Sequence, residues 1–125
     1  MFVGAMGADK GIPFMANEAG AKAYVRSLSL SLHEELKSHG IHVTVLPPAS
    51  IEKFGFDPAT MPMKPMAVDR CVYEGLRALT QNRPVIIPGR VNRIMNAVIP
   101  AAMARRLMGR MLAKTLAAAA TAPRP

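Results

Sequence analysis

The chain has 125 residues, half of them hydrophobic, with a formal net charge of +8, one cysteine and ten methionines. That length suits one domain with its own core, and the composition excludes a disordered chain, a disulfide scaffold and a collagen-like repeat. The charge is uneven: residues 1–82 hold 8 Lys/Arg and 8 Asp/Glu, whereas residues 83–125 hold 8 Lys/Arg and no acidic residue, so the whole excess lies in the last third.

Residues 1–5 ("MFVGA") read as the end of a short buried strand, and "MGADKGIP" as a turn. Residues 16–38 are predicted to be a helix. Ala21, Val25, Leu28, Leu32 and Leu36 form its apolar stripe, and Glu18, Lys22, Arg26, Ser29, His33 and Lys37 its polar one. Lys37 suits the negative end of the helix dipole, and Gly40 suits a left-handed cap. "IHVTVL" (41–46) alternates and is β-branched, a strand that Pro47-Pro48 ends. Residues 49–66, with three prolines and three methionines, read as loop. A second helix spans 67–81, apolar at Val68, Cys71, Val72, Leu76 and Leu79, and "PVIIP" (84–88) is a brief strand. Helical pattern resumes after Gly89, with Val91, Ile94, Met95 and Val98 on one face, is interrupted at Pro100, and runs on to about Ala118; "TAPRP" reads as disordered.

Strands alternating with helices predict an α/β fold with a parallel sheet of about three strands, flanking helices and a helical C-terminal tail. The single Cys71 fits a reducing cytosol, no signal peptide or apolar run of spanning length is seen, and the expected location is cytoplasmic. His33, His39 and His42 are not spaced as metal ligands, and no metal site is expected.

The run "PFMANEAGAKAYVRSLSLSLHEELKSHGIHVTVLPP" resembles the catalytic helix and following strand of the short-chain dehydrogenase/reductase family. In that family a Tyr-x-x-x-Lys motif begins the helix and a passage of the form "LxEELxxHGIxVTV" closes it. "RPVIIPGRVNRIMNAVIPAAMARRLMGRMLAK" is similar to the C-terminal segment of one bacterial branch of the family. The resemblance covers nearly all of residues 1–118 but only the second half of an ordinary member. It implies a partial Rossmann-like, doubly wound fold. Residues 1–88 would be the C-terminal half of such a domain, 89–118 a basic amphipathic helical tail and 119–125 a disordered end.

The resemblance also implies what has changed. The family binds NAD(P) through a Gly-rich turn after its first strand, and "VGAMGADKG" has its glycines at other spacings. The family's tyrosine, its general acid/base, falls on Glu18. Its serine, thirteen residues earlier, falls on Ala5, and its lysine is retained as Lys22. The glycine after the strand is Ala49, and the threonine expected next has no match in "SIEKF". A phenol near pKa ~10 is brought toward neutrality by a neighbouring ammonium, whereas a carboxylate near ~4.3 is driven lower and holds no proton to give at pH 7. Tyr24, two residues beyond Lys22, points about 200° around the helix and cannot replace it. Glu18 and Lys22 read instead as an i,i+4 surface ion pair at a helix start.

Lys22 is thus the one cofactor-contacting residue carried over, and no cofactor is expected on this chain alone, although the family uses NAD(P). The expected function is that of a truncated, catalytically degenerate family member, a pseudoenzyme inactive alone. The alternative is a non-catalytic assembly module or one that binds a membrane surface. Its partners would be a second copy, a complementary Rossmann half, or an anionic membrane met by the tail. In the tail, Arg106, Arg110 and Lys114 share an arc opposite Ala104, Leu107, Met108, Met111 and Leu112; cover helix and peripheral membrane helix both remain open. Specific nucleic-acid binding is not expected, because the tail has no aromatic residue for stacking.

Overall fold

The structure is a computed structural model and describes residues 1–51 and 65–121. Its elements in order are β1 (Phe2–Val3), a 3-10 turn (Ala8–Lys10), α1 (Ala16–Lys37), β2 (Val45–Leu46), α2 (Val68–Thr80), α3 (Arg90–Val98) and α4 (Ala101–Thr121). The predicted α/β class with a parallel sheet is what forms. The helix limits agree with the expected ones to within a residue or two for α1 and α2, and Pro100 separates α3 from α4.

β1 and β2 pair in parallel, Phe2 opposite Val45 and Val3 opposite Leu46. The strand expected over 84–88 is reduced to a parallel bridge between Val45 and Val85. Val45 N–H donates to Pro84 O at 2.9 Å and Ile86 N–H donates to Val45 O at 3.1 Å. Pro84 and Pro88 enclose this segment, and proline brings no N–H to a ladder, so pairing stops after one register. Most of the expected loop 49–66 lies outside the described residues; within them Ile51 bridges Met66.

The core is small. Leu46 packs with Cys71 and Ala78 of α2 and with Ile86, and Ile51 and Met66 close its rim. Gly75 lets α2 come this close: a Cβ there would stand 2.9 Å from Leu46 Cδ2. Burial pushes the Cys71 thiol above its ordinary range, and the nearby Glu74 carboxylate adds to this. Thr44 Oγ1 donates to Arg83 O at 2.7 Å, tying β2 to the third segment.

α1 corrects the expected face. It buries Ala19, Ser29 and His33, whereas Ala21 is exposed and Val25, Leu28, Leu32 and Leu36 are only half-buried. Ser29 is 0% and His33 4% exposed, although both belong to the stripe read as polar. Small residues let a helix approach strands closely. His33 also satisfies its ring there, with Nδ1 2.7 Å from Val43 O. α1 ends as expected, with Gly40 at φ 71° and Gly40 N–H donating to Lys37 O at 3.1 Å.

The expected stripes of α2 and α3 are likewise not the faces that are buried: α2 buries Cys71 of its stripe together with Gly75 and Ala78, and water meets most of the apolar residues. Val68, Val72 and Leu76 of α2 are exposed, and Val91, Ile94 and Val98 of α3 are 64%, 63% and 71% exposed. The residue α3 buries is Asn92, whose Nδ2 donates to Pro88 O at 2.8 Å. α4 packs on the 3-10 turn: Arg105 Nη1 donates to Lys10 O at 2.9 Å, and Gly109 lies against Pro13. Lys10 in turn donates through Nζ to Asn96 O at 2.6 Å and Ile99 O at 3.1 Å, fastening the turn to the end of α3.

Candidate active site at the start of the long helix

Two elements meet where the sequence points to chemistry: the segment after β1 and the first turns of α1. Ala5 follows β1 and is half-buried; its carbonyl accepts from Ala8 N–H at 3.3 Å as the chain turns. α1 begins at Ala16 without a side-chain cap, and Met15 O accepts from Ala19 N–H at 2.9 Å. Glu18 lies in that first turn with its side chain exposed, a placement the positive helix end favours.

Lys22, one turn later, does not pair with Glu18. Its Nζ donates to the backbone carbonyl of Val3 at 3.2 Å, and no ion pair joins Glu18 to any basic group among the described residues. β1 explains the choice. Phe2, Gly4 and Met6 send their N–H groups to Thr44, Leu46 and Pro48 on the β2 side. Alternation therefore turns the Val3 carbonyl to the outer edge, where no strand pairs with it among the described residues. An exposed i,i+4 ion pair is worth only about 0.3–0.5 kcal/mol, so a hydrogen bond to an edge carbonyl competes with it.

An open hollow of about 500 Å³ adjoins this region, lined by Ala8, Asp9, Ile12, Pro13, Ala19 and Arg105 among others. Ala5, Glu18 and Lys22 are absent from its lining. Asp9 stands 3.9 Å from Arg26 across its rim, a loose, partly exposed pair. The structure thus brings Lys22 beside the end of β1 and leaves Glu18 exposed one turn away. Of the other expected contributors, Ala49 is half-buried and described, whereas the Glu52–Phe54 part of "SIEKF" lies outside the described residues.

His33, His39 and His42 bond to Val43 O, Ser38 Oγ and Leu79 O respectively, and no group of three His, Cys, Asp or Glu side chains that could hold a metal occurs among the described residues. A second cleft, which sequence reasoning missed, is formed by arginines of α2, α3 and the segment between them. Arg70 and Arg77 belong to the charge-balanced first part of the chain and Arg83, Arg90 and Arg93 to the basic last part, so charge counting separates residues that folding joins.

Several solved structures share this fold. The chain is similar to a bulky-bulky ketone specific alcohol dehydrogenase from Comamonas testosteroni, 28% identical over 76% of this chain and 38% of that one, with TM-score 0.59. It is similar to a short-chain dehydrogenase from Burkholderia cenocepacia solved with NADP, 23% identical over 88% of this chain and 46% of that one, with TM-score 0.65. A short-chain dehydrogenase from Sphingobium yanoikuyae solved with NADPH is 24% identical over 98% of this chain and 44% of that one, with TM-score 0.60. No protein-family model matches the chain, and no curated protein does. The fold is one that these short-chain dehydrogenases share with this chain. The chain spans less than half the length of each of the three.

Proposed function

We propose that this chain is a catalytically degenerate relative of the short-chain dehydrogenases, of an NAD(P)-dependent oxidoreductase superfamily acting on alcohol and carbonyl groups, and that residues 1–125 alone catalyse no hydride transfer. The observation that carries this is the state of the lysine: Lys22 Nζ is engaged with the Val3 carbonyl at 3.2 Å, beside an exposed Glu18 and an Ala5 that has nothing to donate. Reduction of a carbonyl needs a group that gives up a proton at neutral pH, and neither a methyl nor a solvated carboxylate does so. Lys22 is the single family residue left to meet a cofactor, and one ammonium does not replace a phosphate-binding helix start.

The test is titration of the chain with NADPH and NADH by calorimetry to millimolar concentration, where no saturable heat is expected. Saturable binding in the micromolar range overturns the reading.

A further proposal concerns partners. The outer edge of β1 and the exposed residues Val68, Val72, Val91, Ile94 and Val98 are surfaces that a larger α/β domain covers. We assign the edge to a complementary Rossmann half carrying the dinucleotide turn, with self-association as its substitute when that half is missing. No helix among the described residues is long and apolar enough to cross a membrane. α4 presents Arg106, Arg110 and Lys114 to solvent together with Met103 and Leu107, a surface suited to peripheral contact with anionic lipid.

A further inference from the structure

The arginine-lined cleft between α2 and α3 uses none of the residues at the start of the long helix. It is a cleft of about 560 Å³ whose lining includes the five arginines Arg70, Arg77, Arg83, Arg90 and Arg93 and one acidic residue, Glu74. Its volume falls in the range of small-molecule sites. Five guanidinium groups against one carboxylate leave the lining at a net +4.

Glu74 does not spread its charge over the cleft, because it is already committed. Its Oε2 accepts from Gly89 N–H at 3.0 Å, capping the start of α3, and stands 3.7 Å from Arg93 Nη2; its Oε1 accepts from Arg70 Nε at 3.3 Å. That leaves Arg77, Arg83 and Arg90 with no carboxylate within ion-pair distance among the described residues. They come from three places, the last turn of α2, the segment after it and the first residue of α3. Three like charges gathered from separate elements repel one another, and an ordinary surface relieves this by pointing them apart. Here they rim one concavity whose floor is apolar, formed by the buried Ala78 and Ile86. An apolar floor beneath cationic walls concentrates the positive potential over the opening.

We propose that this cleft binds a phosphorylated small molecule bearing at least two anionic oxygen groups. The guanidinium fork matches phosphate oxygens two at a time, and three unpaired forks exceed what one carboxylate satisfies. The exposed Tyr73 on the wall supplies a surface for the apolar or ring portion of such a ligand. Free phosphate esters and lipid headgroups share this chemistry. The proposal stands independently of the dehydrogenase reading, since it uses none of Ala5, Glu18 or Lys22.

The test uses the full chain and inorganic pyrophosphate, followed by calorimetry. A saturable one-site isotherm is expected. The triple variant Arg77→Gln/Arg83→Gln/Arg90→Gln should weaken it by at least about tenfold, the loss expected when charged hydrogen bonds are removed. All three side chains are exposed, so the variant should keep the parent's urea midpoint. The corresponding Arg→Lys triple keeps the charge and loses the fork, and should fall between the two. Arg106→Gln/Arg110→Gln on α4 should bind as the parent does.

Vesicles of phosphatidylcholine with phosphatidic acid form the second arm. Binding to them that pyrophosphate displaces identifies a headgroup source, and pyrophosphate binding without vesicle binding identifies a free ligand. No saturable binding at 10 mM pyrophosphate overturns the proposal, as does equal weakening by the α4 variant. A single-stranded oligonucleotide bound more tightly than pyrophosphate with the same arginine dependence overturns the small-molecule assignment.

Discussion

Lys22 Nζ donates to the carbonyl of Val3 at 3.2 Å, so the lysine that heads the long helix is bound to the outer edge of the first strand. The contact ties α1 to β1 and leaves Glu18 without an ion pair among the described residues. Stability should therefore respond to Lys22 and not to Glu18. Lys22→Met is expected to lower the unfolding free energy by about 0.5–1.5 kcal/mol, the range of a single partly solvated hydrogen bond, and Glu18→Gln by less than about 0.5 kcal/mol. A double-mutant cycle followed by urea denaturation should find coupling near zero. Coupling of about 0.3–0.5 kcal/mol would mean that the helix-surface ion pair exists in solution after all.

His33 and Ser29 are neighbours on the buried face of α1, and opposite outcomes are expected for them. His33→Leu orphans the buried Val43 carbonyl that the ring meets at 2.7 Å, and should cost about 1–3 kcal/mol. Ser29→Ala removes a buried hydroxyl that has no partner among the described residues, and should be neutral or stabilising. A loss above about 1 kcal/mol for Ser29→Ala would show that the hydroxyl bonds within the helix.

Gly89 combines a positive φ of 83° with ψ 130° at the start of α3. A Cβ there would stand 2.7 Å from Met66 Cε and 3.2 Å from Asn92 Nδ2. Gly89→Ala should therefore destabilise by on the order of 1–3 kcal/mol and loosen the N–H bond to Glu74. Gly7, at φ 78° with nothing within 4 Å, is the control, and Gly7→Asn should cost less than half as much in the same denaturation assay.

The Cys71 thiol, buried against Leu46 and held above its ordinary pKa by burial and by Glu74, should react slowly with a disulfide reagent at pH 7–8. Labelling of the native chain is expected to run at least about tenfold slower than that of the chain in urea, tracking global unfolding. Equal rates would place Cys71 at the surface.

Restoring the family's hydroxyls tests the degenerate site. On the proposed reading that residues 1–125 offer the hydride donor no seat, Glu18→Tyr with Ala5→Ser should give no carbonyl reduction in this chain alone. Once a complementary Rossmann half is bound, the double variant should outpace the unaltered complex. Equal turnover would mean that Glu18 itself transfers the proton.

Periodicity and turn chemistry were enough to place the helices, because those signals are local. The sequence alone put α1 and α2 within a residue or two, separated α3 from α4 at Pro100, and foresaw the left-handed Gly40. The parallel α/β class followed from the order of elements, and the resemblance that marks Ala5, Glu18 and Lys22 lies in wording that survives without coordinates. The tertiary structure decided what each stripe meets. It buried Ser29 and His33 rather than Val25 and Leu32, since close helix–strand approach and a carbonyl at Val43 outweigh side-chain hydropathy. It sent Lys22 to Val3 and left Glu18 in water, because an unpaired strand edge is visible only once the strands are placed. It also drew Arg70, Arg77, Arg83, Arg90 and Arg93 around one cleft, a grouping that linear spacing could not reveal because two helices and a turn contribute to it.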